Sequence, residues 1–261
     1  MIFIECYAQT TSMWLRTPES IEKVIWEAPM EPLSDDAIDL LVRDIKKRER
    51  IIINSDELKN GLPIISIGLP EVWDLVDLYP PGGLPQSMKV RLNESDFYIV
   101  RFSCSFRPKP NGCNIDWARF IVQLYPGDEG QPIAFDLYPS MVTQEVKHNV
   151  KVTLSPTIRF QEVEAGLGCI NFGIEYVELN PIISANGVGE DQISWDYHEA
   201  KGSKIQGSRL MHMLLKVPKG MKPVVARLDL IADVKIREQF LRLIPGKKEI
   251  TAKTLRLKLI E

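Results

Sequence analysis

The stretch Trp195-Asp196-Tyr197-His198-Glu199 holds the residues of this chain best suited to chemistry. On a β-strand successive side chains point to opposite faces, so Asp196 and His198 share a face and could reach one ion or one substrate. A carboxylate and an imidazole are ordinary ligands of a divalent metal, and Glu199 adds a third candidate for a metal-dependent hydrolase. Glu190 and Asp191 stand just upstream, beyond the loop Asn186-Gly187-Val188-Gly189. A hydrolytic metal site would want a second histidine, and only His148 and His212 remain. His212 alternates with Met211 and Met213 and is expected on an outward strand face. The preferred reading of the same stretch is structural, with Trp195 and Tyr197 turned inward and a polar face opposite them.

Nucleophiles are less well placed. The cysteines are Cys6, Cys104, Cys113 and Cys169, with no Cys-x-x-Cys pair, so zinc-ribbon and redox patterns are absent. Cys104 and Cys113 could meet across a hairpin, but without a secretion signal free thiols are expected. Cys169 follows Gly166-Leu167-Gly168, yet no histidine is placed beside it to act as base. No Gly-x-Ser-x-Gly elbow occurs. Gly166-Leu167-Gly168 and Gly187-Val188-Gly189 are isolated Gly-x-Gly pairs without a following Gly-Lys-[Ser/Thr] helix, so P-loop and dinucleotide readings fail. No cofactor is expected.

Charge limits the partners. The 261 residues carry a net charge of −3, which argues against a general nucleic-acid binder. The total conceals an asymmetry. Residues 235–261 hold eight Lys/Arg against three Glu, a net of +5, which leaves the rest at −8. Arg237, Arg242, Lys247, Lys248, Lys253, Arg256 and Lys258 could therefore steer an anionic surface or partner. Arg256 and Lys258 also alternate with Leu255, Leu257 and Leu259, as on the solvated face of an edge strand. The N-terminal Met1-Ile2-Phe3-Ile4-Glu5-Cys6 has no basic region ahead of an apolar core, so no signal peptide is expected and cytoplasm is the expected location. No uncharged stretch approaches the length of a membrane-spanning helix.

The elements that must position these residues are mostly strands. From Met88 onward the apolar period is two. Tyr98, Val100, Phe102, Cys104 and Phe106 alternate with Arg101, Ser103 and Ser105, and Phe120, Val122 and Leu124 repeat the pattern. So do Val150–Leu154, Ile170–Tyr176, Ile193–Tyr197, Met211–Val217, Val224–Val234 and Leu255–Leu259. Turn signals such as Pro110-Asn111-Gly112, Pro218-Lys219-Gly220 and Pro245-Gly246 separate them. This spacing predicts an antiparallel β-sandwich over 88–261, Ig-like or jelly-roll-like.

Residues 1–85 read as a small α+β region. Ser34-Asp35-Asp36 opens a helix to Arg50 with Ile38, Leu41, Val42 and Ile45 on one face. Strands are expected at Ile2–Ala8, Lys23–Glu27, Ile51–Asn54 and Ile64–Ile67, and a short helix at Glu71–Leu78. Leu78-Tyr79-Pro80-Pro81-Gly82-Gly83-Leu84-Pro85 reads as a boundary. Its Leu-Tyr-Pro recurs at Leu124-Tyr125-Pro126 and Leu137-Tyr138-Pro139, either as strand ends or as an aromatic rim. Leu210, Leu214 and Ile231 are apolar on the face opposite their strands' core side, so a second layer or an interface is needed there.

The function this supports is a non-enzymatic, cytoplasmic interaction, scaffold or assembly protein. It would bind a protein partner or a second copy through sandwich loops and strand faces. The residues expected to carry binding are Asn186, Glu190, Asp191, Trp195, Tyr197 and His198. The alternatives are the metal-dependent hydrolase with Asp196, His198 and Glu199, and the anionic-surface binder with its basic C-terminal segment.

Overall fold

Alternation of apolar and polar residues makes each strand two-faced, and such strands bury one face only by stacking in layers. The structure, a computed structural model, describes residues 15–18, 23–32, 36–49, 55–109, 113–145, 157–158, 179–200, 204–236, 239–245 and 255–261. In chain order the elements are β1 (Leu15–Arg16), β2 (Val24–Pro32), α1 (Asp36–Glu49), α2 (Ser55–Asn60), β3 (Ile64–Gly68) and β4 (Glu71–Asp74). A 3-10 turn (Val76–Leu78), α3 (Gln86–Arg91), β5 (Ser95–Arg107), β6 (Asn114–Leu124), β7 (Ile133–Tyr138) and β8 (Met141–Glu145) follow. Then come β9 (Thr157–Ile158), β10 (Leu179–Asn186), β11 (Gln192–His198), β12 (Gly207–Pro218), β13 (Val224–Ile236), β14 (Gln239–Pro245) and β15 (Leu255–Ile260).

Strand pairing is antiparallel throughout the described residues. The first sheet runs β7-β12-β5, with β3 and β4 end to end along the far edge of β5 and β2 beyond β3. The second runs β8-β10-β11-β6-β13, with β14 and β15 sharing the far edge of β13. Pairing of β2 with β14 joins the two sheets along one side, and β1 pairs with β9 apart from them.

The inner faces meet through aromatic rings. Phe102 of β5 packs on Phe120 of β6 and Trp195 of β11, with centroids 5.9 and 6.1 Å apart. Phe106 meets Tyr197 edge-on at 5.8 Å. Val100, Cys104, Val122, Met211, Met213, Leu228 and Leu230 complete this core. The protein is thus mainly β, built of two packed antiparallel sheets with a small helical N-terminal part, as the alternation predicts.

α1 adds to the same core. Ile38, Leu41 and Ile45 are buried against Met30, Leu62 and Ile65, and Val42 is half-buried beside them. Asp36 and Asp39 in the first turn complement the positive end of the helix. Ser34 lies outside the described residues, as do the expected strands at Ile2–Ala8, Ile51–Asn54, Val150–Leu154 and Ile170–Tyr176.

One expected element differs. Glu71–Leu78 is not a helix but the strand β4 followed by a 3-10 turn. Pairing with Tyr98–Arg101 of β5 decides this. It turns Val72 toward the main core and Trp73 toward a second one, and it sets Glu71 against Arg101.

That second core covers Leu214, one of the outward apolar residues. Phe97, Ile99 and Leu214, on the outer face of the first sheet, are buried under Leu75, Tyr79 and Met88, with Leu84 and Leu92 at the margin. The Pro/Gly-rich segment read as a boundary therefore runs within the cover of this face. It lies between elements of one sheet, since β3 and β4 before it both pair with β5 after it. The three Leu-Tyr-Pro tyrosines have separate roles. Tyr79 is buried in the second core, Tyr138 packs beside it, and Tyr125 lies beneath the Arg256 guanidinium at 4.3 Å.

Candidate functional site

Adjacent strands of the second sheet place their outward side chains in rows. Ile231 of β13, Arg119 of β6, Asp196 of β11 and Ser184 of β10 form one row. Asp229, Ile121, Ser194 and Asn186 form the row on one side of it, and Asp233, Trp117 and His198 the row on the other. The inward partners Ala118, Phe120, Trp195 and Tyr197 face the core.

The centre of this face is a charged clamp. Arg119 donates to Asp196 from Nε to Oδ1 at 2.6 Å and from Nη2 to Oδ2 at 3.0 Å. Asn186 Nδ2 donates to the same Oδ2 at 3.0 Å. Asp196 is only 4% exposed, whereas the Arg119 side chain is 42% exposed. A two-point carboxylate–guanidinium pair fixes the plane of the guanidinium, and here the Arg119 guanidinium lies over the Trp117 ring at 5.1 Å. Trp117, Ile121 and Ile231 are partly exposed around it.

The expected site residues are thus distributed as follows. Asp196 and His198 do share the outward face, but both carboxylate oxygens of Asp196 are taken by Arg119 and Asn186. Glu199 leaves the strand, and its backbone N–H donates to Asp116 O at 2.8 Å. Among the described residues no group of three His, Cys, Asp or Glu side chains could hold a metal ion.

Trp195 and Tyr197 are not surface residues. They are 0% and 2% exposed, because their positions in the alternation fall on the core side. Burial drives the Tyr197 hydroxyl well above its ordinary pKa. Asn186 contributes as a clamp residue rather than as part of a free loop.

The Asn186–Asp191 loop itself is pinned to the strands around it. Gly189 N–H donates to Ala134 O, and Ala134 N–H donates back to Glu190 O. Leu124 N–H donates to Asp191 O at 2.7 Å, while the Glu190 side chain stays exposed. Gly187 turns the chain with φ +97°, and a Cβ there would lie 2.3 Å from Gln192 O.

Cys104 and Cys113 are buried and not bridged to each other, and burial raises the Cys113 thiol pKa. Cys6, Cys169 and His148 lie outside the described residues, as do Arg237, Lys247, Lys248 and Lys253. Arg256 and Lys258 are exposed on β15, and Arg256 stands opposite Arg227 of β13.

Sequence reasoning missed Trp117, Arg119 and Ile231 as one group. A signal was present, since Trp117, Arg119 and Ile121 fall out of phase with the core run Phe120, Val122 and Leu124. What it lacked was the register that brings Ile231 and Asp196 to either side of Arg119.

Among the described residues no helix is long and apolar enough to cross a membrane. No family description and no curated protein matches the chain. Several solved structures show a distant similarity, among them two at 9% identity each. Clostridium perfringens delta-toxin aligns over 71% of this chain and 80% of its own, with a TM-score of 0.29. A structure described as a pore forming protein aligns over 90% and 91%, with a TM-score of 0.31. Both scores are too low to transfer anything to this chain.

Proposed function

We propose that the protein is a non-enzymatic interaction or scaffold protein that binds a protein partner, or a second copy of itself, on the outward face of the β10-β11-β6-β13 sheet. The observation that carries this reading is the Trp117–Arg119–Asp196–Asn186 arrangement. Tryptophan and arginine dominate the energetics of protein interfaces. A guanidinium already clamped on one side and stacked on the other has little rotational freedom left to lose on binding. Ile121 and Ile231 supply apolar area beside it, and Glu190 and His198 supply a polar margin. Cys104 and Cys113, buried and not joined in a disulfide, fit a cytoplasmic setting, where thiols stay reduced.

The test combines light scattering with affinity capture from lysate of the native cell, using the wild type, Trp117→Ala and Arg119→Ala. Val90→Ser, on the exposed side of α3, is the control. Self-association or a specific captured protein should be lost with the first two variants and kept with the third. A strict monomer that retains nothing, or capture unaffected by Trp117→Ala, would overturn the proposal.

A further inference from the structure

The outer face of the first sheet carries a buried histidine–arginine pair that the proposed binding face does not involve. His212 of β12 lies directly opposite Arg101 of β5, and both are buried, at 4% and 7% exposure. Among the described residues neither ring nitrogen of His212 has a hydrogen-bond partner. Desolvation, and then the charge of Arg101, push its pKa down to about 3. A neutral imidazole with both nitrogens unsatisfied is costly to bury, so its retention in this position calls for a role.

The charged and titratable groups around it are few among the described residues. From β5 comes Arg101. From β4 comes Glu71, whose carboxylate is spent on Arg101 Nε at 2.7 Å and Nη2 at 2.5 Å. From β7 comes Tyr138, its ring 6.3 Å from the imidazole. Further along β7, opposite Leu214, stands Asp136, which accepts the Leu137 N–H. On β12 itself are Arg209 and Lys216. Trp73 stacks on the Arg101 guanidinium at 4.9 Å. The segment after β1 closes over Arg101, whose Nη1 donates to Thr17 Oγ1 at 3.3 Å and to Pro18 O at 3.0 Å.

We infer that His212 and Arg101 form an acid-sensitive latch, in which protonation of His212 lifts the Thr17–Pro18 segment off the first sheet while the sandwich core stays folded. Two cations facing each other in a dry site repel, and either can be relieved only by water. Among the described residues two polar contacts hold this segment to Arg101. The core faces of β5 and β12, by contrast, are held by a full strand ladder and by the aromatic cluster. The latch and the proposed binding face lie on different sheets, so either can fail without the other.

Hydrogen exchange followed by mass spectrometry on the full chain tests this, with rates corrected for the intrinsic effect of pH. A proton taken up only by the open state, with the ordinary histidine pKa of 6.5, multiplies opening about 50-fold between pH 6.5 and pH 4.5. The wild type should show that rise in peptides covering residues 15–18, with peptides from β6 and β11 unchanged. His212→Leu should abolish it, and His212→Gln serves as a second non-titrating variant should the leucine protein not fold. No rise in the wild type, a rise that persists in the variants, or an equal rise in β6 and β11 would each overturn the inference.

Discussion

Replacing Arg119 by alanine would leave the Asp196 carboxylate almost fully buried with Asn186 Nδ2, at 3.0 Å, as its remaining side-chain donor. Two charge-assisted hydrogen bonds, at 2.6 and 3.0 Å, are lost at once. Removing one partner of a fully buried pair costs about 3–5 kcal/mol. Arg119 is 42% exposed, however, so the space it vacates admits water to Asp196. The expected loss is therefore smaller, about 2 kcal/mol. Asp196→Asn keeps the shape and removes the charge, and should cost about 1–2 kcal/mol. The double variant should be less unstable than the two losses combined, with a coupling energy of about 1–2 kcal/mol, because the residues act as one unit. Urea unfolding followed by tryptophan fluorescence measures all four corners of the cycle, provided the denaturant slopes agree. A coupling under about 0.5 kcal/mol would refute the reasoning. It would mean that the pair is not a clamp, and that Asp196 is free for other chemistry.

The remaining predictions concern the loop, the core and pH. Gly187→Ala should destabilise by about 2 kcal/mol or more, since a left-handed backbone and a Cβ 2.3 Å from Gln192 O oppose it together; a thermal melt unchanged from wild type would contradict this. Trp195→Ala should cost about 3–5 kcal/mol from loss of the ring between Phe102 and Phe120. Tyr197→Phe should be neutral or mildly stabilising, because among the described residues its buried hydroxyl has no partner to lose; denaturation midpoints decide both. His212 should make the protein acid-labile. In the unfolded chain it titrates near 6.5 and in the folded chain at about 3. Between these values the unfolded chain holds a proton that the folded one does not, so stability falls as pH drops from 6.5. The loss at pH 5 is about 2 kcal/mol. His212→Leu should remove that part of the pH dependence; identical profiles for variant and wild type would show that His212 is not responsible.

Much of the architecture is decided locally. Alternation with period two commits Ser95–Arg107, Asn114–Leu124, Gln192–His198, Gly207–Pro218 and Val224–Ile236 to strands, because only a pleated chain puts every second residue on one face. The helix of Ile38, Leu41 and Ile45 is legible for the same reason at period 3.6. The inward position of Trp195 and Tyr197 follows from that alternation too, so their chemistry was decided before any tertiary contact formed.

What the sequence could not hold was register. Nothing local distinguishes an Asp196 that binds a metal from one clamped by Arg119, because the two residues are 77 apart and meet only through the β6–β11 ladder. Helical and extended readings of Glu71–Asp74 are equally open until β5 offers an edge to pair with. A histidine opposite an arginine likewise exists only once β12 lies beside β5. The opening chemistry at Asp196 and His198 thus becomes a matter of neighbours. Spacing decides which face a side chain takes, and tertiary pairing decides what it finds there.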